Sequence, residues 1–256
     1  MPILQQPPRV PVINTASIGP LTTLTHALTV DDLIQLPSLD DAVQRVATLY
    51  DFKHHPYLDW MQQQTTRRED FCQSQIPFRF AAESFAQALA AVLARMPILE
   101  ERLPLADNVA EEHGDGDRHR SHKSTFCQYL KALGASAEDL TAPCPVTVLA
   151  FNQSILTYAL TQSAESGSAL LGIIEYLYVD ISAAIAHTLQ QRQWTAPGSQ
   201  SHYADHETLD VEHAKELLTL AAPGWNSAYA RPHIAQGLLL GAYYFWSLYD
   251  ALLPTL

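Results

Sequence analysis

His206-Glu207-Thr208-Leu209-Asp210-Val211-Glu212-His213 is the stretch on which the reading of this chain turns. From His206, the donors Asp210 and His213 follow at offsets of four and seven residues. On an α-helix those offsets return to nearly one azimuth, so two imidazoles and a carboxylate share a stripe. Borderline nitrogen and hard oxygen ligands together suit iron, manganese or zinc. A solvated helix face has little reason to stack these groups. The motif therefore asks for a helix, and for further helices that bring other donors to it.

Working outward, helical periodicity recurs from about residue 30 to the end, and strand patterns are weak. The spacing predicts helices over 31–51 with a break at Pro37, over 54–64, 78–95 and 99–113, and over 121–133 closed by Gly134. Residues 135–140 read as a short turn. Longer helices follow over 145–162, 168–191, 206–220 and 231–253. Residues 1–25 are rich in Pro and read as an extended arm, and 26–256 as one helical domain. Neither a repeat nor a domain-splitting linker interrupts it. The fold class expected is all-α, one bundle.

Composition excludes several classes. The chain has 256 residues, enough for one large core, and a formal net charge of −12. That charge argues against nucleic acid or an anionic membrane as partner. Three scattered cysteines with no Cys-x-x-Cys offer neither a disulfide framework nor a zinc ribbon. A cytoplasmic protein is expected, with no membrane span: the apolar stretch 169–186 carries Glu175 and Asp180, and 234–246 is short.

Three ligands on one helix do not complete a dinuclear site, which draws Glu and His from several facing helices. Glu175 stands inside Leu170-Leu171-Gly172-Ile173-Ile174-Glu175-Tyr176-Leu177-Tyr178, with apolar neighbours at the helical offsets. A carboxylate in such a setting is costly unless something compensates it, and a metal ion does so. A second donor-rich segment is Glu111-Glu112-His113-Gly114-Asp115-Gly116-Asp117 with His119 and His122 beyond. Spacing does not separate Glu111 from Glu112. An unbroken helix aligns Glu111 with His122, but Gly-Asp-Gly interrupts that count. Arg79 and Arg231 are candidates to hold a substrate carboxylate, and Tyr178 to line the pocket.

Taken in order, Glu-Glu-His-Gly-Asp-Gly-Asp with His122, an isolated Glu175 and His206-x-x-x-Asp210-x-x-His213 resemble the heme-oxygenase-like diiron oxidase and oxygenase superfamily, over roughly residues 75–250. The resemblance implies a seven-helix heme-oxygenase-like bundle without heme. It implies metal ligation by Glu112 and His122 from the first core helix, Glu175 from the second, and His206, Asp210 and His213 from the third. The ten-residue gap from Glu112 to His122 is similar to that of the N-oxygenase branch. Some members add a carboxylate from a preceding helix, and Glu83 is the candidate here.

The cofactor implied is iron, Fe(II)/Fe(III), two per chain, with O2 as cosubstrate. The activity implied is oxidation of a small amine, amino-acid-derived or fatty-acid substrate, with an external reductant and a homodimer as further expectations. Two alternatives stand beside it: a metal-independent enzyme of thiaminase or quinone-cofactor type on the same fold, and a non-catalytic interaction protein. Cys127 is the nucleophile the first would need, but its context Phe126-Cys127-Gln128-Tyr129 offers no neighbouring base. A mononuclear zinc hydrolase is weaker, since six donors exceed what one zinc takes.

Overall fold

In a computed structural model of the chain, residues 28–195 and 201–254 are described, except for the side chains of Ser201 and of residues 204–210. The arm expected over 1–25 lies outside the described residues. No strand occurs among those described. The helices are α1 (Val30–Ile34), α2 (Leu39–Leu49), α3 (Pro56–Gln62), α4 (Arg68–Gln75), α5 (Arg79–Leu93), α6 (Leu99–Glu112), α7 (His122–Leu133), α8 (Val146–Thr161), α9 (Ala164–Arg192), α10 (Ser201–Trp225) and α11 (Ala230–Leu252).

Their ends follow local chemistry. Thr29 and Asp32 form a reciprocal capping box on α1. Ser38, Ser121 and Ser163 cap α2, α7 and α9 by accepting backbone N–H bonds. Pro56 occupies the first turn of α3, where its missing N–H costs nothing. Gly134 ends α7 at φ 107°, and the Ala135 N–H returns to the Leu130 carbonyl at 2.9 Å.

Three elements depart from the expected pattern. The helix α4 was not foreseen, because Arg68-Glu69-Asp70 opens it with charge and its apolar stripe is short. α9 starts at Ala164 rather than 168, and α10 runs from Ser201 to Trp225, longer at both ends than 206–220.

The core is built around α9. Of its 29 residues, those from Ser166 to Glu175 are buried without a gap. α10 and α11 pack along it, α5 packs on α8, and α6 and α7 flank α5 while also reaching α10. Close approach of α11 to α9 depends on Gly237 and Gly241. A Cβ on Gly237 would sit 2.6 Å from the Ser166 carbonyl oxygen, and one on Gly241 2.6 Å from Ile173 Cγ2. Among the described residues, two stretches are apolar and long enough to cross a bilayer, Arg68–Leu93 and Ala164–Arg192, and they are 50% and 67% buried among the other helices, as core helices are.

Candidate metal centre

Glu112 is the last residue of α6 and His122 the first of α7. Each stands at the less favourable helix end: an anion at the negative C-terminus, a basic ring at the positive N-terminus. Local propensity does not select that placement, and the pair itself offsets its cost. His122 Nδ1 lies 2.8 Å from Glu112 Oε2, with both side chains largely buried.

The nine residues between them are folded tightly. Gly114, Asp115 and Gly116 all take positive φ, at 72°, 53° and 85°. Gly114 N–H donates to the Glu111 carbonyl and Asp115 N–H to that of Ala110, each at 2.8 Å, which terminates α6. Ser121 Oγ donates to the Arg118 carbonyl at 2.9 Å and brings the chain into α7. Because the helix breaks, the register that would align Glu111 with His122 is lost, and Glu112 meets the imidazole instead. The resemblance placed this pair on one helix; the structure places it on two.

Glu175 is 4% exposed in the middle of α9, and His213 is 3% exposed on α10. Among the described residues, Glu112, Glu175 and His213 each present a ligand atom within 4.8 Å of the other two. A cation is the simplest partner for two buried carboxylates and an imidazole at that range. His213 Nδ1 supports this fit, being buried with no hydrogen-bond partner among the described residues. His206 and Asp210 belong to α10 by backbone, and their side chains lie outside the described residues.

The remaining candidates fall elsewhere. Glu83 is exposed and pairs with Lys123 Nζ at 2.5 Å, away from the cluster. Its position on α5 faces water, so it is corrected from candidate ligand to surface ion pair. Arg79 is buried, but its guanidinium is occupied. Nη1 donates to the Ile76 carbonyl at 2.8 Å, Nη2 to the Ala142 carbonyl, and the group stacks on Phe80 at 4.1 Å. Arg231 donates to the carbonyls of Trp225 and Ile34. Both arginines spend these donors tying chain segments together, so neither is placed as the substrate-carboxylate clamp expected of it.

Tyr178 does line a cleft of about 50 Å³ beside the centre. The polar end of that cleft is Glu112, His122, Glu175 and His202; its walls include Phe78, Phe85, Phe151 and Phe245. Phe78 stacks on Tyr178 with ring centres 5.9 Å apart. Small side chains at Ala81 and Ala82 leave the space.

Sequence reasoning missed His202, one turn before His206, although the stripe 202, 206, 210, 213 was there to be extended. His202 Nδ1 lies 3.0 Å from Thr125 Oγ1, whose own proton goes to the His122 carbonyl at 3.1 Å. A carbonyl only accepts, so Thr125 accepts from His202 Nδ1–H. One threonine thus links the His122 backbone to the His202 ring.

A buried donor set of carboxylates and imidazoles between facing helices is the arrangement in which helical bundles build metal sites. The profile of the family described as iron-containing redox enzyme, heme-oxygenase-like, matches residues 77–247, and the chain belongs to that family. A 4-aminobenzoate synthase from Chlamydia muridarum is 25% identical over 183 residues, covering 71% of this chain and 75% of that protein.

Solved structures share the fold at low identity. A heme-oxygenase-like domain of unknown function from Shewanella denitrificans OS217 has a TM-score of 0.67 at 14% identity, covering 84% of this chain and 91% of that one. A TenA homologue from P. horikoshii OT3 has a TM-score of 0.63 at 13% identity, covering 88% and 98%. The heme-oxygenase-like helical fold expected from the sequence is the fold observed.

Proposed function

We propose that this protein is a nonheme diiron oxidase or oxygenase that uses O2 to oxidise a small amine, amino-acid-derived or fatty-acid substrate. The observation that carries the reading is the buried cluster of Glu112, Glu175 and His213, with an imidazole nitrogen that has no protein partner among the described residues. Glu112, His122, Glu175 and His213 would hold the two irons together with His206 and Asp210. When bound, the iron pair supplies the redox electrons and the positions for O2 that no side chain here supplies.

The chain's own residues do the rest. The two carboxylates balance cationic charge in a low-dielectric site. Phe78, Phe85, Phe151 and Phe245 keep bulk water from the cleft and offer an apolar surface to the substrate body. With Arg79 and Arg231 committed to carbonyls, no arginine among the described residues lines this cleft.

Anaerobic Fe(II) titration followed by O2 exposure, read by optical and Mössbauer spectroscopy, tests the proposal. Two irons per chain and O2 uptake with reductant are expected. A chain that takes up no iron fails it. A metal-independent enzyme is the second reading, favoured by the TenA homologues among the structural neighbours. It predicts full activity in Glu175→Gln and His213→Ala.

A further inference from the structure

Glu111 and His213 meet between α6 and α10, with Glu111 Oε2 2.8 Å from His213 Nε2. An ionised carboxylate only accepts, so the shared proton sits on Nε2 and the ring donates to Glu111. In the neutral form of the ring, which is the form that ligates metal, the lone pair is then on Nδ1. That nitrogen is buried and has no hydrogen-bond partner among the described residues. It belongs to a side chain that reaches within 4.8 Å of the ligand atoms of Glu112 and Glu175. Metal-binding histidines generally donate their second nitrogen to a carboxylate or carbonyl, which sets tautomer and ring plane.

We propose that Glu111 is the positioning residue for His213: it holds the Nε2–H tautomer and the ring plane so that Nδ1 is presented to an ion. The inference rests on the metal reading above. Helical geometry explains why two adjacent glutamates are needed. Successive residues differ by about 100° in azimuth, so Glu111 and Glu112 leave α6 in different directions. Glu112 turns inward, its side chain 4% exposed, and meets His122. Glu111, 43% exposed, engages His213 through Nε2 and stands outside the cluster of three. The doubled glutamate that spacing left ambiguous thus has two jobs, one inside the donor set and one behind it.

The test uses the full chain. Long-range ¹⁵N–¹H spectra of the metal-free protein report the His213 tautomer, and anaerobic Fe(II) titration reports affinity. The wild type is expected to show Nε2–H. Glu111→Ala is expected to raise the Nδ1–H population and weaken Fe(II) binding about 10- to 100-fold. Glu111→Gln, which keeps an acceptor oxygen, is expected to restore the tautomer and most of the affinity. Glu111 is half-exposed, so neither change disturbs the core. Nδ1–H in the wild type overturns the inference, as does an unchanged tautomer and affinity in Glu111→Ala. A wild type that binds no Fe(II) overturns the metal reading and the inference with it. Two irons bound equally by wild type and Glu111→Ala overturn the inference alone.

Discussion

Glu112 and His122 close a loop of nine residues at 2.8 Å, joining the end of one helix to the start of the next through their side chains. The contact is short-range in sequence, yet neither helix dictates it. Both helix termini would prefer the opposite charge, and the loop's three left-handed residues bring the partners together.

Gly114→Ala should break that arrangement. At φ 72° an alanine is strained, and its Cβ would lie 2.6 Å from the Ser121 backbone nitrogen. A loss of roughly 1–3 kcal/mol is expected, read as a lowered urea midpoint. Iron affinity should fall with it, because Ser121 caps the helix that starts at His122. Unchanged stability and unchanged affinity would show that the turn does not set the ligand geometry.

Glu175→Gln keeps the shape of the side chain and removes its charge. The metal-free variant should retain the helical circular dichroism of the wild type. Iron stoichiometry per chain should drop by at least one under the same anaerobic titration. Full occupancy in the variant would remove Glu175 from the donor set.

Arg79→Ala should cost stability and spare substrate recognition. The guanidinium bridges the carbonyls of Ile76 and Ala142 from a buried position. Hydrogen bonds to a charged group contribute about 1.5–3 kcal/mol each; truncation removes the side-chain donor from the Ala142 carbonyl, while the Ile76 carbonyl keeps the backbone N–H of residue 79. Denaturant melts should show a loss of that order. A selective rise in KM for acidic substrates at constant stability would restore Arg79 as a substrate residue.

His55 supplies an acid-sensitive element outside the proposed donor set. It is fully buried, its Nδ1 accepts the Tyr57 N–H at 3.0 Å, and its Nε2 faces the Trp246 carbonyl and Asp250. Burial pushes its pKa down to about 4 from 6.5. The unfolded chain therefore binds a proton at higher pH than the folded one. Stability from this group is complete above pH 6.5, declines as pH falls, and is gone below about 4. The loss is on the order of 3 kcal/mol at 1.36 kcal/mol per unit. Urea melts across that window should show the slope, and His55→Gln should flatten it. Equal slopes in both proteins would assign the acid sensitivity to other groups.

Much of the architecture was legible because it is written in local patterns. The break at Pro37, the cap at Gly134 and the long apolar run around Glu175 each follow from nearest neighbours along the chain. Glu175 was readable as a site candidate because a lone acid amid leucine and isoleucine conflicts with burial unless compensated. Glu83, Arg79 and Arg231 were misread for one shared reason. Each is satisfied by a partner its sequence neighbourhood does not reveal: Lys123, the Ala142 carbonyl, and the Ile34 carbonyl. His202 was overlooked because the stripe was read forward from His206 and not extended one turn back, into a segment read as lying before the helix.

By itself the sequence determined the helical class, the apolar stripe of the longer helices, and which residue types carry metal chemistry, since periodicity and side-chain chemistry are local properties. Tertiary structure alone decided that Glu112 faces His122 while Glu111 backs His213. A helix break resets azimuth by an amount no residue count supplies, and the contact across it is settled by how α6, α7 and α10 pack.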